Sequence, residues 1–317
     1  RFDGFGIPPA KNGDFAFLLH IVKSLKSTGQ GAVVLPHGVL FRGNTEANIR
    51  TSIVKRGYIK GIIGLPANLF YGTGIPACII VLDKQGAQER QGIFMIDASK
   101  GFVKDGNKNR LREQDIRRII DVWATQEDID KYSHFASNEE IKKNEYNLNL
   151  PRYIDNSEPE DVQNIEAHLK GGIPQHDIDL LEDYWTVCPT LKDTLFKESS
   201  RQGYFDIIPP AEEIRQSILE HEEFVSFRNS VHVLFTSWRD SSFSTLKNLD
   251  ENNQPKKIIT QTSTQLLDAC KNLQLINKYD IYQHLMSFWE EIMQDDVYII
   301  TADGWKAGNE VIRLQKK

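Results

Sequence analysis

Cysteine is scarce. Three residues, Cys78, Cys188 and Cys270, are spread over 317 positions, too few and too far apart for a disulfide framework or a thiolate metal site. They read as reduced thiols of a cytoplasmic protein, and no metal is assigned. An uninterrupted apolar run of membrane-spanning length is also missing, so no membrane partner is expected. There is no basic excess: 38 Lys and Arg stand against 44 Asp and Glu, a net charge of −6, and contact with nucleic acid would need a local patch or a partner subunit. The opening "RFDGFGIPPAKNG" has neither the apolar core nor the small-residue cleavage site of a signal peptide.

Two nucleotide motifs are absent as well. No G-x-G-x-x-G or Walker sequence occurs, which removes a dehydrogenase-like α/β enzyme from consideration. "SLKSTGQGAVVLP" places its glycines before a strand, as in a helix-to-strand turn, whereas a phosphate cradle needs them after one. "GIPPA" has the two prolines of the Asn/Asp-Pro-Pro-aromatic motif that holds an extruded base, but Ile7 cannot accept a hydrogen bond from an amine and Ala10 cannot stack. Pro8 and Pro9 are therefore read as structural.

What is present suffices for two domains: 317 residues, 40% of them hydrophobic. Asp14 is placed to cap a helix with apolar positions Phe15, Leu18, Leu19, Val22 and Leu25, and Gly29 to stop it. "AVVLP" reads as a strand buried on both faces, and a polar helix follows at about 45–56. "YIKGIIGL", "ACIIVLD" and "GIFMID" read as further strands of an α/β sheet that finishes in antiparallel pairing. Past Asp155, with "SEPEDVQ" as the boundary, helical spacing dominates: Phe224, Phe227, Val231, Leu234, Phe235 and Trp238, then Ile281, Leu285, Phe288 and Ile292. "SSFSTLKNLDENNQPKKIITQ" reads as a connecting loop, and "DDVYIITADGW" as β-like. The start at Arg1 and the finish on "EVIRLQKK" suggest a segment of a longer protein.

Loops after the strands carry the candidate site residues. In "LPHGVLFRGNTEANIR", His37 has no nucleophile or carboxylate beside it in sequence and reads as a turn residue. Arg42 and Arg50 fit either a solvated surface or contacts to a phosphate backbone. In "LPANLFYGTGIPAC", Gly72 and Gly74 free the backbone around Phe70 and Tyr71, which either pack a hairpin or stand at the mouth of a cleft and stack on a planar ligand.

Taken in order, "RFDGFGIPP", "DFAFLLHIVKSL", "GQGAVVLPHGVLFRGNTEANIR", "IKGIIGLPANLFYGTGIPACIIVLDK", "IFMIDAS" and "NEYNLNLPRYID" resemble the modification subunit of type I restriction-modification systems, an adenine-N6 DNA methyltransferase. The resemblance covers about residues 1–155; "YWTVCPTLKDTLF" and the segment from "KYDIYQHLMSFWEEIMQ" to "DDVYIITADGW" are similar to the longer C-terminal part of some such subunits. It implies that residues 1–155 are the C-terminal half of a Rossmann-like class I methyltransferase sheet and 156–317 a mainly helical domain. The S-adenosyl-L-methionine motif and the Asn-Pro-Pro-Phe motif would then precede Arg1, so no catalytic residue is assigned and the chain alone is expected to be inactive. Phe70 matches the aromatic that packs on the extruded adenine, with Tyr71 beside it. Implied partners are DNA, the specificity subunit, the restriction subunit and a second copy of the modification subunit. A rival reading makes residues 156–317 a non-catalytic helical module that docks the specificity subunit.

Overall fold

Alternating side chains along the strands split between two cores. Ile62, Ile93 and Met95 join one cluster, while their neighbours Ile63, Phe94 and Ile96 join the other. The computed structural model of the chain describes residues 2–157 and 163–309, which fall into two units divided at 159/160. "SEPEDVQ" lies largely outside the described residues, as does "EVIRLQKK".

The first unit runs α1 (Asp14–Ser24), β1 (Gln30–Pro36), α2 (Asn44–Lys55), β2 (Ile59–Gly64), β3 (Ala77–Asp83), β4 (Gly92–Asp97), a hairpin of β5 (Val103–Asp105) and β6 (Lys108–Arg110), α3 (Glu113–Thr125), β7 (Ser133–Ser137) and α4 (Asn138–Lys143). Its main sheet has the order β1-β3-β2-β4-β7. β3 is antiparallel to both β1 and β2, β4 is parallel to β2, and β7 closes the row antiparallel to β4. The architecture is α/β. α1, α2 and α4 bury Phe15, Leu18, Ile49, Ile53 and Ile141 in the first core, and α3 covers the other face with Val122 and Trp123. Gly61 permits that second contact, because a Cβ there would come within 2.3 Å of the Trp123 ring.

Several expectations need correction. β1 is an edge strand and is not buried on both faces: Leu35 is buried but Val34 is 49% exposed. Asp14 is not the cap of α1, which is Gly13; its carboxylate instead accepts from Arg42 at 2.7 Å. Leu25, in extended conformation, ends that helix before Gly29 is reached. β4 pairs with β2 and β7, so the antiparallel finish comes from β3 and β7.

The second unit holds α5 (Ile165–Lys170), β8 (Ile173–Pro174), α6 (Gln175–Asp179), α7 (Glu182–Val187), α8 (Leu191–Leu195), β9 (Phe196–Glu198), β10 (Tyr204–Ile207), α9 (Ile214–Glu220), α10 (Glu222–Lys247), α11 (Pro255–Cys270), α12 (Lys278–Phe288) and α13 (Gln294–Asp303). The strands form one small antiparallel sheet, β8-β10-β9. The supposed connecting loop is mostly helix: α10 runs on to Lys247 and α11 begins at Pro255, a position suited to proline because its missing N–H is unneeded there. "DDVYIITADGW" is helical, not β, since Val297 and Ile300 share a face that packs with Leu249 and Trp289. Among the described residues no helix is long and apolar enough to cross a membrane.

Candidate functional site

β1, β2 and β4 run in the same direction, so their carboxyl ends share one end of the sheet, where open α/β sheets carry ligand sites. Three segments meet there: the His37 turn after β1, the 65–76 loop between β2 and β3, and the Asp97 turn after β4. The His37 N–H donates to the Pro76 carbonyl at 2.9 Å, and Ala98 N–H donates to Gly64 at 3.0 Å, so the turns are stitched to the loop and strand beside them.

The 65–76 loop is built around Leu69, which packs into the second core while its successors turn outward. Phe70 is 40% exposed and Tyr71 92% exposed. Gly72 follows at φ +79°, a conformation that favours glycine, and Gly74 leaves room for the Asn68 side chain, whose Oδ1 would sit 3.0 Å from a Cβ there. The β5–β6 hairpin braces the loop from below. Asn109 Nδ2 donates to the Ala67 carbonyl at 2.7 Å, and Lys108 Nζ donates to Phe70 and Thr73 carbonyls at 2.9 and 3.0 Å. Hairpin packing therefore accounts for Leu69 but not for the two rings. Sequence reasoning overlooked the brace, although Gly106–Asn107 between its strands is a two-residue hairpin signal.

His37 is more than a turn residue. Its Nε2 is buried without a hydrogen-bond partner, and its ring meets Phe41 edge-on with centroids 6.2 Å apart. Burial lowers its pKa, and the nearby Asp97 carboxylate opposes that shift. Asp97 is buried, accepting from Ser99 N–H at 3.0 Å and from the Asn156 amide. A neutral imidazole with one unpaired nitrogen is thus held at the same sheet end as Phe70.

The two arginines are not free for phosphate. Arg50 is 4% exposed and serves as an interior clamp: Nε donates to the Tyr146 carbonyl at 2.8 Å, and Nη1 to Arg42 and Val39 carbonyls at 2.9 and 3.2 Å. Burial lowers its pKa, against the attraction of Glu46. Arg42 reaches the surface, but Nη1 lies 2.7 Å from Asp14 and 3.4 Å from Glu46, and the Asp14 hydrogen bond raises its pKa. The expected DNA contacts at Arg42 and Arg50 are corrected on this geometry: one guanidinium is inside the fold, and the other is already matched by two carboxylates.

The glycine-bearing turn before β1 is filled by the chain itself, a Cβ at Gly29 falling 2.9 Å from the Lys26 nitrogen. No group of three or more His, Cys, Asp or Glu among the described residues could hold a metal ion. Burial pushes the Cys78 thiol up to about 12, so it is no nucleophile.

The chain is similar to several known proteins. The profile of the N-6 DNA methylase family matches residues 1–162. The type I restriction enzyme MjaVII methylase subunit of Methanocaldococcus jannaschii is 40% identical over 154 residues, 47% of this chain and 26% of that protein. The MpnII methylase subunit of Mycoplasma pneumoniae is 32% identical over 184 residues, 58% of this chain and 33% of the relative. A solved type I restriction-modification methyltransferase subunit from Streptococcus thermophilus shares 48% identity over 49% of this chain and 33% of its own, with a TM-score of 0.46. The chain thus spans about a quarter to a third of the length of these curated relatives.

Proposed function

The chain belongs to the N-6 DNA methylase family, and from that premise we propose that it supplies the target-base face of an adenine-N6 DNA methylase, the modification subunit of a type I restriction enzyme. The exposure of Phe70 and Tyr71, on a loop pinned by Leu69, Lys108 and Asn109, carries this reading. Adenine N6 is out of reach inside a duplex and must be swung out and held flat. A ring fixed at the sheet's functional end gives the extruded base a stacking partner. The parent enzyme would draw its methyl group from S-adenosyl-L-methionine, and the absence from this sequence of the family's donor-binding and Asn-Pro-Pro-Phe motifs supports the reading that the chain alone transfers no methyl group. DNA, the specificity subunit, the restriction subunit and a second modification subunit are the proposed partners.

The second unit is proposed as an assembly surface for the specificity subunit. An apolar groove of about 440 Å³ between α10, α11 and α12, bordered by the exposed rings of Phe235, Phe243 and Phe288, supports that role.

The test is Phe70→Ala and Tyr71→Ala in the parent enzyme. Stacking is worth about 1–3 kcal/mol per base, so replacing the stacking ring should slow methylation by roughly tenfold or more while the unfolding midpoint stays put. Unchanged methylation in both variants, or loss of fold with normal activity in the folded fraction, would return the rings to a structural role.

A further inference from the structure

The opposite end of the same sheet carries a second groove, of about 1190 Å³, walled by segments 54–58, 84–90 and 138–146. It is positively charged in a chain of net charge −6: five cations, Lys55, Arg56, Lys84, Arg90 and Lys142, line it against Glu89 and Glu139. Among the described residues only Arg90 of these has a carboxylate within ion-pair range, Asp83 at 3.8 Å. The two arginines are fixtures: Arg90 donates to the carbonyls of Gly57, Asp83 and Gln85, and Arg56 donates to Gly4 and lies over the Phe5 ring. Both are held in place, and of the two only Arg90 has a carboxylate in ion-pair range among the described residues.

The lysines sit differently. Lys55 lies over the Tyr146 ring at 5.2 Å and Lys84 over the Tyr58 ring at 5.4 Å, while Lys142 is exposed on α4. Capping of helix ends explains only part of this. Lys55 and Lys142 fall in last turns and Lys84 Nζ donates at 2.8 Å to the carbonyl of Leu25, the C-cap of α1, but at the α2 terminus the Ser52, Ile53 and Val54 carbonyls are already taken by the N–H groups of Arg56, Gly57 and Tyr58, and a carbonyl does not neutralise a lysine's charge.

We infer that this groove binds the sugar-phosphate backbone of DNA without regard to sequence, at the end of the sheet opposite the target-base face. Uncancelled cations from three separate segments, around a space far larger than one phosphate, suit a chain of phosphates better than a single ion. The choice of DNA over another polyanion rests on the family reading above; the attraction to polyanions does not.

The experiment measures binding of the chain to a labelled 20-base-pair duplex by fluorescence anisotropy across a salt series. Substituting Lys55→Gln, Lys84→Gln and Lys142→Gln together should reduce the log–log salt slope by about three and weaken binding at least tenfold. The corresponding Lys→Arg variants should restore both, and Lys197→Gln, the same charge change on an exposed position of β9 outside the groove, should leave both nearly unchanged. Binding lost with Phe70→Ala but not with the lysine variants would place DNA at the target-base face alone and overturn the inference. An unchanged slope, or no salt-dependent binding by the unaltered chain, would do the same. Polyglutamate competing as well as DNA would overturn the assignment to DNA and make the groove a site for acidic polypeptide.

Discussion

Arg50 Nε donates to the carbonyl of Tyr146 at 2.8 Å across a sequence separation of 96 residues. Glu145 and Tyr146 both have φ in the left-handed region, at 55° and 57°, which ordinary residues adopt only when something holds them. The clamp also grips Val39 and Arg42 carbonyls, and Leu148 N–H bonds Leu40, so α2 fastens the turn after β1 to the segment after α4.

Replacing Arg50 by methionine should therefore destabilise the chain strongly. Three carbonyls, one buried and two partly buried, lose a charged donor, and a cost of roughly 3 kcal/mol follows from the unpaired groups. Urea unfolding measures it. Wild-type stability combined with a weakened, flatter salt dependence of DNA binding would show a surface phosphate role instead.

Which arginine is buried could not be read from residues 42–50, because the deciding partner, Tyr146, lies in a different segment. Periodicity did reveal α1, whose Phe15, Leu18, Leu19 and Val22 are all buried, whereas Phe70 and Tyr71 stood out through the glycines that follow them and not through any period. β7 escaped notice because "SHFAS" is short and polar; only its pairing with β4 makes it a strand. Similarly, "DDVYIITAD" carries β-branched residues, but packing of Val297 against the Leu249 and Trp289 cluster overrides that preference.

Two histidines should bend the pH dependence of stability in opposite ways. His134 lies with Nδ1 3.1 Å from Asp128 and Nε2 3.0 Å from Glu140, an arrangement that satisfies both carboxylates only when both nitrogens carry protons. Burial works against that charge, but the hydrogen bonds and charges of Glu140 and Asp128 outweigh it and raise the pKa above 6.5. Its stabilisation is complete below 6.5 and is lost as pH rises through the folded value. His37 is shifted down from 6.5 by burial, so stability falls as pH drops from 6.5 toward its folded value. His134→Gln should flatten the loss above 6.5, and His37→Gln the loss below it. NMR titration of the ring protons, alongside unfolding midpoints at several pH values, checks both; equal titration of the two near the ordinary value would refute the assignment.

The outer side of β1 has no strand beside it among the described residues, and Val34 stands half exposed on it. An apolar edge of this kind recruits other strands unless something covers it. The N-terminal segment does not serve as that cover: Phe2 and Phe5 pack into the first core, and the Gly4 carbonyl accepts from Ser52 and Arg56 of the α2 region. The isolated chain should therefore self-associate as its concentration rises, and Val34→Lys, which places a charge on the edge, should shift it toward monomer without changing its fold. Sedimentation velocity across a concentration series decides. A chain that stays monomeric at high concentration, with the Val33 and Val34 amides strongly protected from hydrogen exchange, would mean that the edge is covered within a single copy.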